Sequence, residues 1–235
     1  MKYNIKIGLS ISKIIYSISF ILILSLIRGI SYVEDIGVAM DSTVSLLAII
    51  FCADTYYQEI QGSRWEVFGM LSKNQRYKTI CQRLFIQFGF IILLISLGFW
   101  MFYLQKPIRF SERSLSLIYV SAIFACSASV VFFGTLSFTM INICKNLWFG
   151  IGSSVLIWLT LTSTLGKKIP AVINVFAYSN AYGNAYGNAY GNAYGNATTG
   201  EPISFYIGKM FAIFVTGLLL VLNKYLLDWK RKEKV

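Results

Sequence analysis

The sequence predicts an all-α integral membrane protein: six transmembrane helices with a cytoplasmic amphipathic helix between helices 2 and 3. Three observations carry this. Hydrophobic residues make up 56% of the 235 positions and mean hydropathy is +0.63. Only 13% of residues are charged. The apolar residues also fall in long runs, and a spanning helix needs about 20 of them. A water-soluble domain of this length could not cover so much apolar surface. Six spans leave loops and tails but no room for a second folded domain of roughly 100–150 residues. Residues 1–235 therefore read as a single transmembrane domain.

The first predicted span runs from Ile11 to Val33. It is too long for a signal-peptide core and no small-x-small cleavage site follows it, so it stays attached. A tight outer turn at Glu34 and Asp35 leads to the second span, Ile36 to Cys52. The longest cytoplasmic segment, 53–83, comes next. Ile60, Val67, Phe68 and Leu71 recur there at helical spacing among Gln58, Glu59, Arg64, Glu66 and Lys73, which predicts a helix in the membrane interface. Trp65 suits that depth.

The third span is Leu84 to Leu104 and the fourth Leu115 to Ile143, with Ser121, Ala125 and Ser129 at i, i+4 spacing for close helix approach. The fifth, Leu147 to Leu165, carries Gly150 and Ser154 for the same purpose. An external region, 166–202, follows. Its apolar start, Ile169 to Phe176, predicts a short re-entrant helix, and Ala177-Tyr178-Ser179-Asn180 then opens a tetrad series with four copies of Ala-Tyr-Gly-Asn. Gly and Asn at a period of four favour turns, so a pliable loop or weak hairpin is expected. The sixth span runs from Ile203 to Leu227.

Net charge is +11. With the N-terminus cytoplasmic, fourteen of the 21 Lys and Arg residues lie inside, which favours both termini inside the cell. Basicity here encodes topology, and no basic face interleaved with aromatics points to nucleic acid. The absence of histidine removes His-based zinc, haem and triad chemistry. Cys52, Cys81, Cys126 and Cys144 have no metal-ligand spacing and read as small buried hydrophobes. Gly166-Lys167-Lys168 lacks the Ser or Thr and the upstream glycine of a P-loop, so no nucleotide site is expected.

Ala53-Asp54, Glu59, Gly62-Ser63, Leu71-Ser72, Arg76 and Arg83 opening an apolar helix resemble the segment between spans two and three of ABC-2-type transporter permeases. Lys73-Asn74-Gln75 stands where the family commonly has a proline before its Ser-Arg step. The resemblance covers the whole chain through its six spans, internal termini and external region before the last span. It implies a small permease subunit of the peptide-export and immunity kind, in a bacterial cell membrane. It also implies a second permease subunit, identical or paralogous, and a separate ABC ATPase that carries ATP and Mg. This chain would bind no cofactor, have no catalytic residue and not be an enzyme.

Under that resemblance the amphipathic segment is a coupling helix docking on the ATPase. Glu59, Arg64, Glu66 and Arg76 would supply polar contacts, Gly62 would belong to the same interface, and Trp65 and Phe68 would be its buried anchors. The cargo would be a peptide or lipid-like amphiphile. The competing expectation is a non-transporting immunity or scaffolding protein with no ATP coupling. Asp41 in the second span and Lys209 in the sixth are costly in hydrocarbon. They face one another, line a translocation path, or snorkel to the outer interface.

Overall fold

A computed structural model describes residues 2–55, 57–60, 68, 70–109, 114–170, 172–176 and 203–232. The helices are α1 (Lys2–Gly8), α2 (Ile11–Ile27), α3 (Asp35–Ala53), α4 (Tyr57–Ile60), α5 (Lys73–Tyr103), α6 (Leu115–Cys144), α7 (Leu147–Thr162) and α8 (Ile203–Lys232). A single 3₁₀ turn, Gly166–Lys168, follows α7. Among the described residues there is no strand, only an isolated bridge between Tyr32 and Ile108.

Four helices are long and apolar enough to cross a membrane: α3, α5, α6 and the Ile207–Leu226 part of α8. The other two apolar helices, α2 and α7, have 17 and 16 residues. At 1.5 Å per residue they reach about 26 and 24 Å, a few Å less than a hydrocarbon core of about 30 Å. By the same measure α5, with 31 residues, reaches about 46 Å and outruns that core by several turns.

On α2, α7 and α8 the packing is inverted relative to a water-soluble bundle. α2 turns Lys13, Ser17, Ile21 and Ser25 inward at a spacing of four, while Ile11, Ile15, Leu22 and Leu26 are exposed. α8 buries Lys209, Ala212, Thr216 and Asn223 and exposes Met210, Phe214, Leu218 and Val221. α7 buries only Gly150 and Ser154. Small and polar residues inside with apolar residues outside are compatible with lipid as the surrounding solvent.

α3 is the central element, packed most extensively against α6 and also against α5 and α7. The main apolar core joins α2, α3, α5 and α6 around Val44, Phe51, Ile95, Phe99 and Cys126. A close approach fixes the α6–α7 hairpin. A Cβ on Gly150 would lie 2.7 Å from Ile141 Cα, so only glycine fits there. Lys145 turns the corner with φ 56°, and Asn146 caps α7 by accepting from the Trp148 and Phe149 amides.

Several boundaries differ from expectation. The first helix ends at Ile27, not Val33. Residues 28–34 form an extended connector tied to the α5–α6 connector through Val33 N to Ile108 O and Ile108 N to Ser31 O. α5 begins at Lys73, well before its apolar stretch, because Ser72 and Gln75 form a reciprocal capping box. The expected re-entrant helix at Ile169–Phe176 is replaced by the 3₁₀ turn and further turns, among which Val175 and Phe176 are nonetheless buried. The short helix α1 has no counterpart in the expected spans. The Ala-Tyr-Gly-Asn repeat lies outside the described residues.

Candidate functional site

The polar residues gather in two places. The end of the bundle holding α1, α4 and the start of α5 is termed inner, after the predicted orientation, and the opposite end outer.

At the inner end, the segment following α3 is fastened on both sides. Lys13 of α2 forms an ion pair with Asp54, donates to Phe51 O at 2.8 Å and lies over the Phe51 ring. Gln58 of α4 donates to the other Asp54 oxygen. Glu59, also on α4, pairs with Arg83 of α5 at 2.6 Å, with both side chains almost fully buried. Arg83 reaches on to Asn4 Oδ1 of α1, and Asn4 donates to Gln82. Gln87 accepts from Thr55 at 2.7 Å and donates to Gly8 O at 3.1 Å. Charges so deeply buried are tolerable only when paired and hydrogen-bonded, as these are. The result is a rigid knot joining α1, α2, α4 and α5.

Three residues predicted for partner docking are thus placed inside the chain. Glu59 is 5% exposed and Arg76 4% exposed. Phe68 is 4% exposed and packs with Cys52, Ile80, Leu84 and Phe138. Gly62, Arg64, Trp65 and Glu66, with Val67, lie outside the described residues; the predicted helix is seen at Tyr57–Ile60 and again at Phe68 and Met70, and ends by the break at Leu71–Ser72. Among the described residues, those that the inner end offers to solvent include the run from Met70, 84% exposed, through Gln75 at the tip of the overlong α5.

Toward the outer end, Asp41 of α3 and Lys209 of α8 do face one another. Lys209 Nζ lies 2.6 Å from Asp41 Oδ2 and 2.6 Å from Ser129 Oγ of α6, and both charged side chains are fully buried. Neither snorkels. The Phe176 ring covers the ammonium, its centroid 5.7 Å from Nζ, and stacks on Phe133 at 5.3 Å. Asn174 holds this turn by donating to Gly166 O and accepting from the Phe176 amide.

From Lys209 a polar stripe follows α8 at heptad spacing: Lys209, Thr216, Asn223. Asn223 accepts from Asn142 Nδ2 at 2.9 Å and donates to Thr139 Oγ1 at 2.7 Å, both on α6. Sequence reasoning gave Asn142 and Asn223 no special role, since each sits near a helix end. The heptad relation of Asn223 to Lys209 was a signal for that residue alone; Asn142, on α6, had none. The inner pairs had no comparable signal, because Arg83 with Glu59 and Lys13 with Asp54 meet only once the helices pack. The four cysteines are free; Cys52 and Cys126 are buried as expected, whereas Cys81 and Cys144 are only half-buried. Among the described residues no group of His, Cys, Asp and Glu could hold a metal ion.

No protein-family model, curated protein or solved structure matches the chain.

Proposed function

We propose that this chain is the membrane-spanning permease subunit of an ATP-binding cassette transporter, exporting a peptide or lipid-like amphiphile and driven by a separate ATPase subunit. It would work beside a second permease subunit in a bacterial cell membrane, with six spans and both termini cytoplasmic. The observation that carries this reading is the inner knot. A subunit driven by an external motor needs a protruding element rigidly joined to the spanning helices, so that motor closure becomes helix tilt. Asp54, Gln58 and Glu59 tie the segment after α3 to α2 and α5 through buried ion pairs. α5 also extends well past the length a bilayer requires.

The polar seam between α3, α6 and α8 supports the same reading from the other side. Helices held by exchangeable polar contacts, with no hydrophobic force between them, can part and close. One observation favours the competing reading of a non-transporting immunity or scaffolding protein. Glu59 and Phe68 use their side chains within the chain and Arg76 is buried, so the docking tip would have to be sought in exposed described residues such as Met70–Gln75.

The test is co-purification of the full chain with an ATPase encoded beside it. Met70→Glu changes the exposed tip without touching the knot, whereas Glu59→Arg would test the fold instead. The proposal expects the ATPase to be retained by wild type and lost from Met70→Glu. Retention by both variants alike, or no ATPase partner in the membrane fraction, removes the coupling reading in favour of the non-transporting one.

A further inference from the structure

The seam between α3, α6 and α8 holds more acceptors than donors. Asp41 gives Oδ2 to Lys209, and its Oδ1 is buried with no hydrogen bond. Asn142 donates to Asn223 while its own Oδ1 is buried and unbonded. Thr135 Oγ1 is also buried and unbonded, but as a hydroxyl it can donate as well as accept. Thr135, Thr139 and Asn142 share one face of α6 by their i, i+4, i+7 spacing, the face that meets Asn223. Carboxylate and amide oxygens can only accept, and burying them without a matching donor is costly. The seam as it stands therefore suits a donor-rich guest.

The surroundings of Lys209 Nζ show what that guest would be. An ammonium sits among a carboxylate, a hydroxyl and an aromatic face: Asp41, Ser129 and Phe176. These are the groups that recognise an alkylammonium in a dry site. Lys209 enters the cage on its own flexible stem from α8, whose other face is apolar and exposed. Withdrawal of α8 would carry its ammonium out and leave the cage open toward the lipid side, where an amphiphile's tail would lie.

We propose that Asp41, Ser129 and Phe176 form a binding site for the primary ammonium group of an amphiphile or peptide, occupied in this conformation by the chain's own Lys209. The inference rests on the permease reading for its purpose, but its chemistry is complete in this chain.

The test uses the full chain in nanodiscs of zwitterionic lipid, without any ATPase, titrated with dodecylamine. Trp158 is the reporter, since its Nε1 donates to Ser42 O at 2.9 Å, beside Asp41. Dodecyltrimethylammonium keeps the charge without N–H donors, and dodecanol removes the charge. Dodecylamine should give a saturable change in tryptophan fluorescence that disappears in Trp158→Phe. Its affinity should fall about tenfold or more in Asp41→Asn and rise by a similar factor in Lys209→Met, where the internal competitor is gone.

Should either single variant fail to fold, Asp41→Asn/Lys209→Met removes both charges together and should bind all three probes alike. The idea is overturned if dodecanol matches dodecylamine on wild type, or if Asp41→Asn or the double variant keeps wild-type preference for the amine. A signal that persists in Trp158→Phe, or full displacement of dodecylamine by millimolar sodium or potassium, overturns it as well. Because no motor protein is present, failure here leaves the permease reading standing. Conversely, failure of ATPase co-purification leaves the ammonium site standing.

Discussion

Replacing Arg83 with Met, or Glu59 with Gln, should each destabilise the protein strongly, and the double replacement should cost about 2–3 kcal/mol less than the two added together. The pair lies 2.6 Å apart with both side chains almost fully buried. At an effective dielectric constant of about 20, the gross attraction is about 6 kcal/mol. Desolvation of the two ions offsets much of that, but removal of one partner leaves the other charge buried and unmatched, at about 3–5 kcal/mol. Arg83→Met also strips Asn4 of a donor, so it should be the costlier single change. The double variant exchanges a buried ion pair for neutral groups of similar size, and the coupling energy should be about 2–3 kcal/mol. Reversible unfolding in mixed micelles, followed by far-ultraviolet circular dichroism across a double-mutant cycle, measures it. Additive costs within about 0.5 kcal/mol would refute the reasoning, because independent sites behave that way.

Gly150→Ala should destabilise the α6–α7 hairpin by about 2 kcal/mol, since the new methyl meets the Ile141 backbone. Gly98→Ala should cost under about 1 kcal/mol, because its nearest obstacle is the flexible end of Met40; the two unfolding curves compared side by side check both. Asn146→Ala removes the cap of α7 and should cost about 1 kcal/mol in the same assay. Asn142→Leu and Asn223→Leu should each cost about 0.6 kcal/mol, in line with hydrogen bonds between helices in lipid, and should be non-additive in combination. Ser72→Cys and Ser114→Cys, both at exposed positions at opposite ends of the bundle, should react with a membrane-impermeant maleimide from opposite sides of the cell membrane. Labelling from one side would overturn the predicted orientation.

Much of this architecture is legible in the residues. The starts of α6 at Leu115 and α7 at Leu147 coincide with the apolar boundaries, and Ser114 and Asn146 mark them as caps. Asp41 and Lys209 stood out because an ionisable side chain well inside an apolar run needs a partner, whereas Lys224 lies near the end of its run. The early start of α5 was also written in the sequence, as Ser72 followed three residues later by Gln75, but hydropathy weighting hid it. Glu59 and Phe68 illustrate the opposite case. Their helical spacing describes a face without saying whether that face meets a partner, lipid or the chain itself, and here Arg83 and Cys52 supply the contacts. The Asn142–Asn223 bond needed knowledge of helix crossing, which no local pattern contains.

Asp41 and Lys209 are 168 positions apart in the chain. During synthesis the carboxylate of α3 therefore reaches its resting depth long before the ammonium that matches it has left the ribosome. Until α8 is in place, Asp41 lacks the ammonium that matches it among the helices. A variant without α8 keeps that defect, so it should fold less completely than the chain that carries Lys209.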